Sequence, residues 1–114
     1  TTIKKEYLAA VLDGMQSVTQ ETGGTAYNIF KNFSIKVGGK TGSAEAPGNK
    51  VNAWFVGYAP FDDPEIAIVV MVENGGHGNY TAEVVRDIMA EYFGINTQDI
   101  TENMQEKPYT EIMQ

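Results

Sequence analysis

Two apolar stretches decide the fold of this chain, and they read Asn52-Ala53-Trp54-Phe55-Val56-Gly57-Tyr58-Ala59 and Ile66-Ala67-Ile68-Val69-Val70-Met71-Val72. Both are apolar at successive positions and rich in aromatic or β-branched residues, which is typical of strands covered on both faces. Between them, Pro60, Asp62, Asp63 and Pro64 form a turn signal. Because a turn this short joins only antiparallel neighbours, the two stretches predict a hairpin of buried strands.

A third strand is predicted upstream, from Ser34 to Ala44, where Ile35 and Val37 alternate with other residues in a glycine-rich stretch. Glycines inside a strand mark a bulge or the close approach of another backbone or a ligand. The turn signal Ala46-Pro47-Gly48-Asn49-Lys50 separates this stretch from the hairpin. Three strands joined by two short turns form an antiparallel three-stranded meander.

A helix is predicted before the meander, over about residues 3–20. Thr1 or Thr2 is its expected cap, and the Gly23-Gly24 pair is expected to end it. Residues 25–33 carry no clear pattern and are predicted to be a connector. The apolar face of the helix consists of Ile3, Tyr7, Leu8, Val11, Leu12 and Met15.

A second helix is predicted after the meander, capped by Thr81 and ended by Gly94. Residues 1–95 would then form one α+β unit, a meander flanked by helices. Residues 96–114 are acidic and show no periodicity, so we expect a loosely ordered tail. The apolar stripe of the second helix consists of Val84, Val85, Ile88, Met89, Tyr92 and Phe93.

The composition excludes several classes of function. Eight Lys and Arg residues against 15 Asp and Glu residues give a formal net charge of -7, which disfavours nucleic acid and anionic lipid as partners. The absence of cysteine excludes thiol catalysis, disulfides and cysteine-ligated metals. A single histidine, His77, excludes a site with two histidine ligands. We expect no metal and no cofactor.

Two apparent motifs carry little weight. Gly39-Lys40-Thr41 looks like the end of a P-loop, but the first glycine of that motif would fall at Ser34. A P-loop also leads into a helix, whereas a turn and another strand follow here. His77 lies among glycines with no nucleophile or orienting partner nearby in sequence, so we interpret it as an ordinary loop residue.

The segment Lys40-Thr41-Gly42-Ser43 is the best candidate site. Lysine supplies a cation, and the threonine and serine supply short hydroxyl donors. Glycine leaves the strand backbone open to a ligand. Together these groups would bind a peptide carboxylate laid along the strand. Strict alternation puts Lys40 and Thr41 on opposite faces, so both can serve one cleft only at a twisted sheet edge.

The triplet Lys40-Thr41-Gly42 and the sequence around it resemble the C-terminal part of the penicillin-binding protein transpeptidase domain, of the class B, monofunctional type. The resemblance covers about residues 3–94. Its stretches, in order, are Gly23-Gly24-Thr25-Ala26, Val37-Gly38-Gly39-Lys40-Thr41-Gly42-Ser43-Ala44-Glu45, Asn52-Ala53-Trp54-Phe55-Val56-Gly57-Tyr58-Ala59-Pro60 and the apolar strand Ile66 to Val72.

The resemblance implies the β-lactamase/transpeptidase-like fold, a five-stranded sheet with helices on both faces and the Lys-Thr-Gly strand at one edge. It implies a serine acyltransferase that cross-links peptidoglycan stem peptides and is trapped by β-lactams. Lys40 would favour an anionic substrate, and Thr41 and Ser43 would bind its carboxylate. Gly42 would allow close approach, and the Ser43 backbone N–H would be one of two oxyanion donors.

The chain departs from the family pattern because it contains neither an S-x-x-K nor an S-x-N motif. Three residues after Ser17, Ser34 and Ser43 stand Gln20, Val37 and Ala46. We therefore expect the nucleophile to lie upstream in a longer protein, of which this is a C-terminal piece that cannot acylate alone. The resemblance further implies an extracytoplasmic protein of the bacterial cell envelope, anchored in the membrane through its N-terminal part.

Two other functions remain open at this stage. A D,D-carboxypeptidase or a β-lactamase relative would carry the same Lys-Thr-Gly strand. A non-catalytic interaction module would instead use an exposed strand edge to bind an extended peptide. Residues 65–73 are the expected contact for the N-terminal part of the same protein or, failing that, for self-association, because Ile66 to Val72 carries no charge, proline or glycine.

Overall fold

The computed structural model describes residues 2–76 and 79–96, so His77, Gly78 and the tail from residue 97 onward lie outside the described residues. The described chain is α+β, as predicted, with a single antiparallel sheet in the order β1-β2-β3. The elements are α1 (Lys5–Gln20), α2 (Tyr27–Phe30), β1 (Gly38–Ala46), β2 (Lys50–Ala59), β3 (Ile66–Val72) and α3 (Tyr80–Phe93).

The register of the sheet separates its side chains into two faces. Thr41 of β1 pairs with Phe55 of β2, which pairs with Val70 of β3. This face packs against α3 and is called the helix-side face. The opposite face, called the open face, is exposed in the described chain, with its four large apolar side chains Trp54, Val56, Val69 and Met71 each more than a third exposed.

The core lies between the helix-side face and the helices α2 and α3. Phe55 is fully buried there together with Val85 and Met89 of α3. Phe30 of α2 stacks on Phe55 with ring centroids 6.0 Å apart. Helix α2 lies in the segment that was predicted to be a connector. It was not predicted because a helix of four residues is too short to show helical periodicity.

Helix α1 begins two residues later than predicted, at Lys5, and Lys4 rather than a threonine is its N-cap. The apolar face that the spacing predicted is present but exposed in the described chain, with Tyr7 and Val11 each 59% exposed. At the other end, Thr19 is fully buried and its Oγ1 donates to the Val37 carbonyl oxygen at 2.5 Å. The C-terminal turn of α1 is thus the part that is tied to the sheet.

Helix α3 begins at Tyr80, and its N-cap is Asn79 rather than Thr81, which was wrongly predicted. Thr81 lies inside the first turn of α3, and its side chain is buried. It therefore does not occupy the position that precedes the helix. The predicted stop is confirmed, since Gly94 is the C-cap with φ 70°. That left-handed conformation favours glycine.

The strands differ from prediction in extent and in burial. Strand β1 runs over Gly38–Ala46 instead of 34–44, and β3 has the predicted bounds. The prediction that β2 and β3 are covered on both faces is wrong, because only the helix-side face is covered in the described chain. Val69 on the open face is 60% exposed, whereas Phe55 is buried. Among residues 2–76 and 79–96, no helix is long and apolar enough to cross a membrane.

Candidate functional site

The four candidate residues Lys40, Thr41, Gly42 and Ser43 lie in the middle of β1, which is an edge strand of the described sheet. Their partners on β2 are Val56, Phe55, Trp54 and Ala53, in that order. The alternation therefore puts Lys40 and Gly42 on the open face and Thr41 and Ser43 on the helix-side face, as the sequence indicated.

The ammonium group of Lys40 has no carboxylate partner in the described part of the chain. The side chain is exposed, and Nζ donates to the Thr41 carbonyl oxygen at 2.8 Å. This bond folds the lysine back along its own strand and leaves its ammonium group without an ion pair among the described residues, although Glu21 lines the same depression. In a chain of net charge -7, an unpaired cation at a sheet edge is a local attraction for an anionic ligand.

The hydroxyl of Thr41 contacts the loop between α1 and α2. Its Oγ1 lies 3.1 Å from the Oγ1 of Thr25. Thr25 and Lys40 together line a depression of about 400 Å³ beside the C-terminal end of α1. Thr41 therefore contacts Thr25, and Lys40 lines the same depression as Thr25 although alternation places it on the opposite face. The position of β1 at the sheet edge makes this possible.

The Gly23-Gly24 pair brings the α1–α2 loop close to α1. Gly23 has φ 95°, a conformation that side chains rarely adopt. A Cβ at Gly24 would lie 2.5 Å from the Val18 carbonyl oxygen, so only glycine fits there. The pair was predicted to end the helix, but α1 ends at Gln20 with Glu21 as its C-cap, so the glycines lie beyond the helix and set the path of the chain into Thr25.

Asn79 joins the site from the start of α3. Its Nδ2 donates to the Thr25 carbonyl oxygen at 2.8 Å. Sequence reasoning did not single out Asn79 or assign a role to Thr25. The contacts span 54 and 16 positions along the chain, and no local pattern signals such long-range pairs.

Gly42 and Ser43 leave the strand accessible. A Cβ placed on Gly42 would meet only the Cβ of Trp54, at 3.4 Å, which is ordinary contact. The fold therefore does not require glycine here, and the residue leaves open space over the backbone. Ser43 is exposed, and its hydroxyl makes no hydrogen bond to any described residue. Its donor is thus available to a ligand.

A nucleophile with an adjacent base is absent from the described residues. Ser17 donates its hydroxyl proton to the Asp13 carbonyl oxygen at 3.0 Å, a bond within α1. Ser43 makes no hydrogen bond to a general base among the described residues, and His77 lies outside them. Within residues 2–76 and 79–96, no group of three metal-ligating side chains could hold a metal ion. The arrangement is suited to binding an anion rather than to attacking a carbonyl group.

Several curated proteins and solved structures are similar to this chain. The peptidoglycan D,D-transpeptidase MrdA of Haemophilus influenzae is 30% identical over 70% of the chain and 15% of its own length. Penicillin-binding protein 2A of Bacillus subtilis is 31% identical over 92% of the chain and 16% of its own length. The chain therefore spans about a sixth of the length of these relatives.

The structural neighbours agree with the relatives. A crystal structure of Pseudomonas aeruginosa PBP2 in complex with WCK 5153 has a TM-score of 0.71 and 34% identity, over 81% of this chain and 21% of that one. A complex between PBP2 and MreC from Helicobacter pylori has a TM-score of 0.67 and 28% identity, over 79% and 18%.

The family model for the penicillin binding protein transpeptidase domain matches residues 1–90. That match runs through the whole meander and through most of α3, the element that covers the helix-side face. The chain therefore belongs to the penicillin-binding protein transpeptidase domain family.

Proposed function

We propose that this chain supplies the Lys-Thr-Gly substrate-binding strand of a serine D,D-transpeptidase that acts on the D-Ala-D-Ala ends of peptidoglycan stem peptides. The observation that carries the proposal is the edge strand β1, on which Lys40 lines a depression together with Thr25 while the hydroxyl of Thr41 contacts that same Thr25. An edge strand can accept an extended peptide by strand addition, and the side chains then select its charge.

The side chains divide the work of binding the substrate or a β-lactam. Lys40 supplies positive charge for an anionic ligand, and the hydroxyls of Thr41 and Ser43 donate to its carboxylate. Gly42 leaves room for the ligand against the strand. The Ser43 backbone N–H is proposed as one of two donors to the oxyanion of the acyl-transfer step, a role in which one donor contributes roughly 10²–10³ in rate.

The nucleophilic serine is proposed to come from a part of a longer protein that this sequence does not include. Neither S-x-x-K nor S-x-N occurs among the 114 residues. The exposed apolar face of α1 supports the proposal, since Tyr7, Leu8 and Val11 on the helix and Ile3 just before it are 47–64% exposed in the described chain. Such contiguous apolar surface marks an interface, and the missing part of the domain is its proposed occupant.

The location and the partners of the longer protein are proposed from its relatives. Relatives that synthesise peptidoglycan act where the cell wall is assembled, so we place the longer protein outside the cytoplasm, anchored by a segment outside this sequence. Its partners would be the stem peptide, β-lactams and the N-terminal part of the same protein. The Helicobacter pylori relative was solved with MreC, and a comparable protein partner is a further proposal for the longer protein.

A direct test measures acylation of the longer protein by a fluorescent penicillin. Lys40→Ala should lower the second-order acylation rate by at least ~10²-fold, because it removes electrostatic stabilisation of the transition state. Lys50→Ala, at the far end of the β1–β2 hairpin, is the matched control and should change little. An unchanged rate in Lys40→Ala would exclude Lys40 from the mechanism.

The same preparations distinguish the carboxypeptidase and β-lactamase alternatives. With stem peptides ending in D-Ala-D-Ala, a transpeptidase yields a cross-linked dimer and releases one D-Ala for each bond formed. A carboxypeptidase releases D-Ala without dimer, and a β-lactamase hydrolyses the penicillin catalytically. Dimer formation that disappears in Lys40→Ala is the expected result.

A further inference from the structure

We propose that Thr25 is a positioning residue for Thr41, and that it directs the single hydroxyl proton of Thr41 toward the carboxylate of the bound ligand. Asn79 holds Thr25 in place. The inference rests on the proposed function, since it assigns a partner to the side chain proposed to bind that carboxylate. It adds two residues outside β1 to the substrate-binding site.

The number of protons on the two hydroxyls limits the directions that their hydrogen bond can take. Each threonine hydroxyl has one proton to donate and two lone pairs to accept with. The two Oγ1 atoms of Thr25 and Thr41 are 3.1 Å apart, so one hydroxyl donates to the other. If Thr41 donated to Thr25, it would have no proton left for an anion. A bound carboxylate therefore requires Thr25 to donate and Thr41 to accept.

This arrangement makes a directed chain from Thr25 to Thr41 to the carboxylate. A hydroxyl that accepts one hydrogen bond becomes a stronger donor in the next, because the bonds polarise one another. Without a ligand either hydroxyl can donate to the other, and the bound carboxylate selects the arrangement in which Thr25 donates. A hydrogen bond from Thr41 to a charged oxygen is stronger than one to a neutral oxygen, so a ligand without a carboxylate should experience a smaller effect.

The backbone of Thr25 is held from two sides. Asn79 donates its Nδ2 proton to the Thr25 carbonyl oxygen at 2.8 Å. On the next residue, the Ala26 N–H donates to the Val18 carbonyl oxygen at 3.0 Å. Close packing of Gly24 on the last turn of α1 leaves the loop little freedom. The Thr25 hydroxyl is thus presented to β1 from a fixed backbone.

The side chain of Asn79 makes this contact and does not cap its own helix. Asparagine is among the best N-cap residues because its side-chain oxygen accepts from an N–H of the first turn. Asn79 is the N-cap of α3, yet it makes no side-chain cap hydrogen bond. Its amide instead reaches the α1–α2 loop, and α3 is thereby connected to the edge strand through Thr25.

The test uses the longer protein that carries this chain, with a β-lactam bearing a free carboxylate and with the methyl ester of the same compound. Thr25→Val keeps the shape and removes the donor. We expect its acylation rate to fall about five- to tenfold with the free acid, as loss of one hydrogen bond does. With the ester we expect a change below about twofold. Thr25→Ser should restore the rate with the acid.

Two further variants separate positioning from folding. Asn79→Ser keeps a capping side chain for α3 and loses the amide donor to Thr25 without adding charge, so it should lower the rate with the acid and leave the rate with the ester nearly unchanged. Thr25→Val combined with Thr41→Val should be no slower than Thr41→Val alone, because the second residue acts through the first. Equal losses with acid and ester, or a slower double variant, would overturn the inference.

The single variant Thr41→Val separates this inference from the proposed function. If Thr41→Val acylates as fast as the unmodified protein with the free acid, the proposed carboxylate site itself is wrong. If Thr41→Val is impaired while Thr25→Val is unimpaired, the site stands and the role of Thr25 is wrong.

Discussion

At the scale of single residues, the composition of the site depends on which side chains the edge of the sheet brings together. Lys40 and Thr41 are neighbours that alternation sends to opposite faces, and both adjoin the loop at Thr25 because β1 has no strand beyond it in the described chain. In the interior of a sheet, a neighbouring strand would occupy this edge, and one loop could not lie next to side chains on both faces.

Gly42 gives the sharpest test of a single position. Since a Cβ there meets only Trp54 at 3.4 Å, Gly42→Ala should leave the melting temperature of the protein nearly unchanged. It should nevertheless slow acylation by a fluorescent penicillin about tenfold or more, because the added methyl stands where the ligand approaches the strand. Equal acylation rates in the two proteins would remove Gly42 from the binding surface.

Tyr58 predicts a pH dependence of stability. Its hydroxyl is buried without a hydrogen-bond partner among the described residues, and burial raises the pKa of that hydroxyl above its ordinary value. The folded state therefore retains the proton to higher pH than the unfolded state does. Stability from this group is complete below about pH 10 and is lost as the pH rises through the folded pKa.

Replacing Tyr58 by phenylalanine tests this account through urea unfolding between pH 9 and 11. Tyr58→Phe should be as stable as the unmodified protein or more stable near neutral pH, since it removes an unpaired buried hydroxyl. It should also lose less stability toward high pH. Tyr7→Phe, at an exposed ring, is the control. A steeper alkaline loss in Tyr58→Phe would contradict the account.

The residue types of the site could be predicted from the sequence, and their surroundings could not. Lys40 to Ser43 are contiguous, so their chemistry is visible in a single segment. Thr25 and Asn79 reach the same place through a glycine-shaped loop and a helix start. Their roles depend on how α1, β1 and α3 pack, which single-sequence patterns do not contain.

At the scale of elements, a buried threonine anchors the C-terminal end of α1 beside the sheet, next to Val18, which packs against the core. Thr19 Oγ1 donates to the Val37 carbonyl oxygen just before β1, and the side chain is fully buried. Thr19→Val would keep the volume and leave that carbonyl oxygen without this donor. We expect the free energy of unfolding to fall by about 1–3 kcal/mol, the usual cost of an unsatisfied buried group.

Urea unfolding measures this change, with Thr22→Val as the matched control. Thr22 is exposed on the loop that follows α1, so its replacement should change the free energy of unfolding by less than about 0.5 kcal/mol. If Thr19→Val were as stable as the control, the hydrogen bond to Val37 would not be what ties α1 to the sheet.

The elements themselves were predictable to different degrees. Strand β3 has the predicted bounds, because seven apolar residues between turn signals leave no alternative. Its burial was mispredicted, since an unbroken apolar run indicates two covered faces and says nothing about which part of a protein covers them. Helix α2 was missed, and its Phe30 belongs to the core through a contact with distant Phe55.

At the scale of the whole molecule, apolar surface is the feature that most needs a partner. The open face exposes Trp54, Val56, Val69 and Met71, and the outer edge of β3 is unpaired in the described sheet. An apolar, uncharged strand edge is a template for pairing with another chain. In the longer protein, we propose that the N-terminal part of the domain pairs there.

In isolation, the chain of 114 residues should therefore self-associate through residues 65–73. Sedimentation at micromolar concentration should show species larger than a monomer. Val69→Lys should shift them toward monomer, because a charge on the exposed face of an edge strand opposes pairing. Val11→Lys, at a comparably exposed position on α1, is the control for a general effect of charge. A monomer with sharp, dispersed amide signals in NMR would show that the edge closes itself.

We propose that this chain supplies the substrate-binding strand of a penicillin-binding transpeptidase and not its nucleophile. Mass spectrometry after incubation with labelled penicillin tests both halves of the claim at once. We predict no covalent adduct on the isolated chain, and one adduct per molecule of the longer protein, on a serine outside these 114 residues. A stoichiometric adduct on Ser17, Ser34 or Ser43 would contradict the account.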